Sequence, residues 1–141
     1  MVVKLIAVID SNVYVYRAIK DAIYHIQSKN VLDKLSQWLT PSIVIHEVVW
    51  TLNELIGRQS TLLYVKALLS HRKMNIIPLS RQDISWSIGK IAEEALSLAR
   101  YNNKIILSIA KRKNTPLVSF DKQLLSQASK EGIAIINPYL T

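Results

Sequence analysis

The stretch Val2-Val3-Lys4-Leu5-Ile6-Ala7-Val8-Ile9-Asp10-Ser11-Asn12 decides the fold. From Val2 to Ile9 it is apolar and mostly β-branched, broken only by Lys4. A half-exposed strand alternates apolar with polar side chains, whereas a run apolar on both faces fits a strand buried inside a parallel sheet. Ser11 and Asn12 then favour a helix start, and Val15, Ile19, Ala22 or Ile23, and Ile26 follow at helical spacing. The run is too short to span a membrane, and no small-residue cleavage site follows it. No targeting or membrane segment is expected, and the protein is read as cytoplasmic.

The same alternation continues outward. A second helix is expected over Val31 to Leu39, broken by Thr40-Pro41; Ser42 to Ile45 is either a short strand or the next helix start. Ile45, Val48, Val49, Leu52, Leu55 and Ile56 form a helical stripe that stops at Gly57, and another helix runs from Thr61 to His71. Asn75 to Leu79 reads as a strand. Ile84, Ile88, Ile91, Ala95 and Leu98 mark a long helix, and Ile105, Ile106, Ile109 and Ala110 the next. Pro116 to Phe120 is a strand, Asp121 to Lys130 a helix, and Ile133 to Ile136 a last strand after Gly132. Strands separated by helices imply right-handed crossovers and a mainly parallel sheet flanked by helices. The expected class is α/β.

With 141 residues and no linker, repeat or low-complexity tract, residues 1–141 form a single domain. Half the residues are hydrophobic and 20% charged, which excludes intrinsic disorder. Cysteine is absent, so disulfides, thiolate nucleophiles and Cys-based metal sites are excluded together. Eighteen Lys+Arg against ten Asp+Glu leave a net charge of +8, which favours a polyanionic partner, nucleic acid before membrane. The Ile- and Lys-rich, Cys-free composition also suits a thermophile.

In an open α/β sheet, ligands bind beyond the carboxyl ends of the strands. Asp10 and Asp121 both fall there, each directly after a strand. Either alone reads as a helix cap or turn former. Two acids at one sheet edge raise each other's pKa unless a cation neutralises them, and a divalent metal is the usual cation. Asn103 shares a helical stripe with Ile106, Leu107 and Ala110, so it turns inward or caps its helix, with Asn102 an equal candidate for the cap. Glu47 lies on the flank of its helix, where the dipole at the N-terminus favours an acid in any case.

Asp10-Ser11-Asn12 after an apolar strand, Glu47 in Pro41-Ser42-Ile43-Val44-Ile45-His46-Glu47, and Leu117-Val118-Ser119-Phe120-Asp121 before a helix resemble the ordered signatures of the PIN-domain ribonucleases, which include VapC-type toxins. The likeness extends over essentially the whole chain. That resemblance implies a PIN-like fold and a site of Asp10, Glu47 and Asp121 holding Mg²⁺ or Mn²⁺. The family usually carries a third Asp about eighteen residues before the last one; here Asn103 stands there, eighteen positions before Asp121. Ser119 matches a position where the family carries a hydroxyl. Hard divalent cations prefer anionic oxygen, and an Asn carbonyl can coordinate but adds no charge. The implied reaction is hydrolysis of RNA by metal-activated water, leaving a 5′-phosphate and a 3′-hydroxyl. A small antitoxin and a second copy of the chain are the implied protein partners.

Phosphate approaching an acidic pocket needs surrounding cations. The candidates are Arg17, Lys20, Lys104, Lys111, Arg112, Lys113 and Lys122, although Lys111 to Lys113 equally suit a solvated helix end. His25, His46 and His71 show no ligand spacing, and Trp38, Trp50 and Trp86 read as core or interface anchors before stacking platforms. No glycine-rich phosphate loop is present. Two rival readings remain. One is a catalytically weak or silent domain of the same fold that binds RNA or protein, motivated by Asn103. The other, a phospho-receiver module, wants paired acids after the first strand where Ile9-Asp10-Ser11 offers one.

Overall fold

A computed structural model describes residues 5–141. The chain runs β1 (Ile6–Ile9), α1 (Ser11–Ala18), α2 (His25–Lys34), β2 (Gln37–Pro41), α3 (Ser42–Ile56), α4 (Arg58–Leu69), β3 (Met74–Ile77), α5 (Arg81–Glu93), α6 (Tyr101–Arg112), β4 (Leu117–Val118), α7 (Lys122–Lys130) and β5 (Ile135–Ile136). Short 3-10 turns precede α6 (Leu98–Arg100) and end the chain (Pro138–Leu140). All strand pairs are parallel, in the order β3-β2-β1-β4-β5. The α/β class with helices flanking a parallel sheet is as expected.

β1 is central because its side chains suit no other place: Ala7, Val8 and Ile9 are fully buried. The first residues of the expected strand, Val2 to Lys4, lie outside the described residues. Crossovers from β1 to β2 to β3 step one way across the sheet, and those to β4 and β5 step the other way. Right-handed connections therefore put α1 to α4 on one face and α5 to α7 on the other. The direction reverses between β1 and β4, and in sheets of this kind ligands bind beyond the carboxyl ends of the strands at that point.

Several expectations are corrected. The helix expected over Val31 to Leu39 ends at Lys34, and Gln37–Pro41 is a strand. Leu35 turns extended, Ser36 N donates to Leu5 O at 2.8 Å, and the chain joins β1 in register Ala7 to Trp38. Ser42 to Ile45 opens α3 rather than forming a strand. The stripe running on to Ile26 is split between α1 and α2, leaving Ile23 and Ile26 exposed. The cap of α1 is Asp10, not Ser11 or Asn12.

The long helix after β3 is shorter than its pattern and rotated about its axis, so that of the expected stripe Ile91 alone is buried. It ends at Glu93, with Ala95 at φ 51° and Leu98 outside it. Its buried face is Asp83, Ser87 and Ile91, while Ile84 and Ile88 face solvent. The cause is an ion pair. Arg112 on α6 donates from Nη2 to Asp83 Oδ2 at 2.9 Å and from Nε to Oδ1 at 3.2 Å. Ser108 Oγ adds a third bond to Oδ1 at 2.8 Å, and Ser80 closes a capping box with Asp83. Burial alone would raise the Asp83 pKa, but these donors outweigh it and hold the carboxyl below its ordinary value. A satisfied buried charge pins the helix by its polar face.

Candidate active site

Asp10 leaves β1 as a buried carboxylate, 5% exposed, beyond the paired ends of β1 and β4. Its Oδ1 accepts from Ser11 N at 2.8 Å, and its Oδ2 accepts from Ser119 Oγ at 2.6 Å and Asn12 Nδ2 at 3.3 Å. Ser119, beyond the end of β4, also accepts from Asp121 N at 2.9 Å and from Asn12 Nδ2 at 3.2 Å. A hydroxyl has one donor and two acceptor positions. All three of Ser119's are in use. Asn12 completes the staple by accepting from Phe120 N at 3.0 Å.

Asp121 caps α7, its Oδ1 accepting from Gln123 N at 3.0 Å and Leu124 N at 3.2 Å. Glu47 projects from the second turn of α3 and is half-buried. Burial and then the Asp10 charge push its pKa up to about 7, against the lowering influence of the Asn102 amide. Burial also raises Asp10, with the Asp121 charge adding to it and the Ser119 and Ser11 bonds opposing. The sheet edge thus brings Asp10 within electrostatic reach of both Glu47 and Asp121. Asn102 stands near enough to Glu47 to lower its pKa somewhat, and Asn103 follows it in the first turn of α6, half-buried.

Glu47 Oε1 is buried without a hydrogen-bond partner. An orphaned carboxylate oxygen beside a like charge suits a hard cation, and the acids here offer oxygen donors. Among the described residues no three His, Asp or Glu side chains stand close enough together to cage a metal. The chemistry of the donor set fits a divalent ion; holding one needs the carboxylates to draw in.

The expected cations divide sharply. Lys104 is 1% exposed, and its Nζ donates to Glu94 Oε2 at 2.8 Å, so it clamps α5 to α6 instead of facing a phosphate. Arg112 is committed to Asp83, and Lys111 pairs with Glu131 at 3.4 Å. From Asn103 to Arg112 the helix rises roughly 13 Å. Lys111 accordingly lines a groove with Thr115, Pro116 and Gly132, at the opposite edge of the sheet from the acids. Arg17 lines another groove with Asp33, Trp38, Tyr64 and His71. Lys20 is exposed beyond α1, and Lys122, directly after Asp121, is exposed beside the site.

Asn12 and the Asp83–Arg112 pair were not foreseen as such. The Ser80-x-x-Asp83 capping box is visible in the sequence, but the partner twenty-nine residues on is not. His46 is exposed, Trp38 is buried with Nε1 donating to Leu32 O at 3.0 Å, and Trp50 stands 70% exposed on α3.

The family model described as PIN domain matches residues 7–131. No sequence of a curated protein is significantly similar to the chain. Among solved structures, the Mycobacterium tuberculosis toxin VapC20, described as cleaving the sarcin-ricin loop, superposes with a TM-score of 0.79 at 13% identity, over 94% of this chain and 99% of that one. FitAcB from Neisseria gonorrhoeae gives 0.72 at 15% identity, over 97% and 100%. VapBC2 from Rickettsia felis, bound to a promoter DNA fragment, gives 0.68 at 18%, over 94% and 98%. At these identities the likeness is one of fold.

Proposed function

Since the chain belongs to the PIN domain family, we propose that it is a divalent-metal-dependent endoribonuclease acting as the toxin of a toxin–antitoxin pair. The reading is supported by Asp10 standing within electrostatic reach of both Glu47 and Asp121 beyond the carboxyl ends of β1 and β4, with Glu47 raised to about 7 and its Oε1 unpaired. Unneutralised acids packed this way are a cost to the fold unless a cation is their purpose.

Asp10 and Glu47, with Asp121, are the residues that would hold Mg²⁺ or Mn²⁺. The bound ion supplies a water of lowered pKa and charge to offset the phosphate. Ser119 and Asn12 are positioning residues: they fix Asp10 on one rotamer and tie it to the chain that carries Asp121. Lys122, Lys20 and Lys113 are exposed cations without an ion pair among the described residues, and Lys122 is the one next to an acid of the site. The neutral pair Asn102-Asn103 lowers the charge of the site and supports holding one ion in place of two.

Exposed apolar side chains suit partners. Ile84 and Ile88 on α5, and separately Trp50 on α3, are exposed side chains that a second copy or a small antitoxin would cover. One structure of similar fold, from Klebsiella pneumoniae, is described as a toxin–antitoxin complex. No helix among the described residues is long and apolar enough to cross a membrane, and we place the protein with its RNA in the cytoplasm.

The second reading, a silent PIN domain that binds without cleaving, is favoured by the two asparagines alone. Calorimetric titration with Mn²⁺, followed by incubation with end-labelled RNA, separates the two. The nuclease reading expects heat of binding and new fragments, both lost in Asp10→Asn. The silent reading expects neither.

A further inference from the structure

A groove of about 300 Å³ lies between α7 and the C-terminal segment, and it begins beside the site. Lys122 and Tyr139 stand at its head, Leu125 and Ile135 give it an apolar floor, and Ser126 and Asn137 add polar groups. Lys122 is the residue after Asp121, so the head of the groove adjoins one of the acids. Its head is rigid. The Tyr139 hydroxyl donates to Phe120 O, and its ring meets Tyr24 edge-on at 4.9 Å and Phe120 at 5.3 Å. Lys122 Nζ sits over the Tyr139 ring, 5.1 Å from its centroid, and must swing off that face before a base can stack on it. Asn137 uses its carbonyl oxygen to accept from Tyr139 N at 3.0 Å, which leaves its amide as a donor. Thr141 Oγ1 ends the segment within hydrogen-bond distance of two carbonyls, Pro138 O at 2.7 Å and Gln27 O at 3.1 Å.

We propose that this groove binds a nucleotide of single-stranded RNA next to the cleaved bond, its base on Tyr139 and its phosphate on Lys122. The inference rests on the nuclease reading and extends it to a subsite. A fixed aromatic ring beside a cation is the usual apparatus for an unpaired base and its phosphate. The residues lining the groove include a cation and no acid, which favours an anionic strand. A ring already anchored at its hydroxyl loses little freedom when a base lands on it. The groove also accounts for the one expected RNA contact that stays both exposed and adjacent to the acids.

The test is binding of a short labelled oligoribonucleotide of mixed sequence, read by fluorescence anisotropy in chelator so that nothing is cleaved. Tyr139→Leu is expected to weaken affinity about tenfold, the loss of one stacked base. Ser126→Glu, on the exposed face of α7, should weaken it comparably, while Ser85→Glu, the same charge change on α5, leaves it nearly unaltered. Lys122→Gln should reduce the slope of log affinity against log salt by about 0.7. Melting curves confirm that each variant is folded, and Ser126→Glu stands in if Tyr139→Leu is not. Wild-type affinity in Tyr139→Leu and Ser126→Glu overturns the proposal, as does displacement of the RNA by polyglutamate peptide at equal charge. RNA that binds through the groove but is never cut in Mn²⁺ supports the subsite and removes the nuclease; RNA cut normally by both groove variants removes the subsite alone.

Discussion

Ser119 Oγ donates to Asp10 Oδ2 at 2.6 Å across 109 residues of sequence, and this bond joins the two strand ends that make the site. Because Ser119 also accepts from Asp121 N and Asn12, its loss would disturb both acids at once. Ser119→Ala is expected to cost about 1–3 kcal/mol, the range for buried polar groups left unpaired. It removes a bond that opposes the rise of the Asp10 pKa, so apparent metal affinity at neutral pH should fall as well. Denaturant melts and Mn²⁺ calorimetry on the same variant measure the two effects.

Stability in chelator should fall as pH rises through the range set by Glu47. A carboxyl raised from 4.5 to about 7 binds its proton more tightly in the folded state. Between those values the folded chain holds more protons than the unfolded one, so the slope of stability with pH is negative. Asp10, also raised, acts in the same sense. A loss of roughly 1–2 kcal/mol is expected between pH about 4.5 and 7 once solvent screening is allowed for. Glu47→Gln should flatten the profile, and Mn²⁺ should restore stability at the upper end. Melting temperature against pH, with and without the ion, reads all three.

Arg112→Ala leaves a buried, unpaired Asp83 and is expected to destabilise by about 3 kcal/mol. The double variant Asp83→Leu with Arg112→Leu should recover most of that loss, because it leaves no uncompensated charge. RNA affinity of the recovered double variant should match wild type, since Arg112 serves the fold. Urea melts check the first two expectations and anisotropy the third.

The neutral corner of the site gives a fourth expectation. Asp and Asn are nearly isosteric, so Asn103→Asp changes charge with little change of packing. In chelator the added charge crowds the other acids and lowers the melting temperature slightly. In Mn²⁺ it should raise affinity about fivefold, equivalent to about 1 kcal/mol, and increase RNA cleavage. Asn102→Asp puts its charge nearer Glu47 and should lower stability more in chelator. Parallel melts of both variants with and without Mn²⁺ show which asparagine faces the ion.

Much of this architecture is legible along the chain, for identifiable reasons. β1 and β4 are apolar on both faces, and only a central strand in a parallel sheet asks for that. β2 is hidden because Leu35, Trp38 and Leu39 continue the helical spacing of Val31, although in the structure Trp38 and Thr40 turn to the buried face. The orientation of α5 is hidden more deeply. Its Ile84 and Ile88 mimic a core stripe, and only knowing that Arg112 lies opposite Asp83 reverses the choice. Asp10 and Asp121 can be placed from strand ends alone, whereas Lys104 and Arg112 look like free cations until their acids are located in space. Spacing along a chain reports periodicity; it does not report partners.

The most direct measurement is cleavage of end-labelled RNA by wild type and Asp10→Asn, each confirmed folded, in Mn²⁺ and in chelator. Cutting is expected only from wild type in Mn²⁺, with Asp10→Asn and the chelated enzyme both silent. RNA left intact by folded wild type in Mn²⁺, or cut equally well by Asp10→Asn, would contradict a metal-dependent nuclease built on Asp10, Glu47 and Asp121.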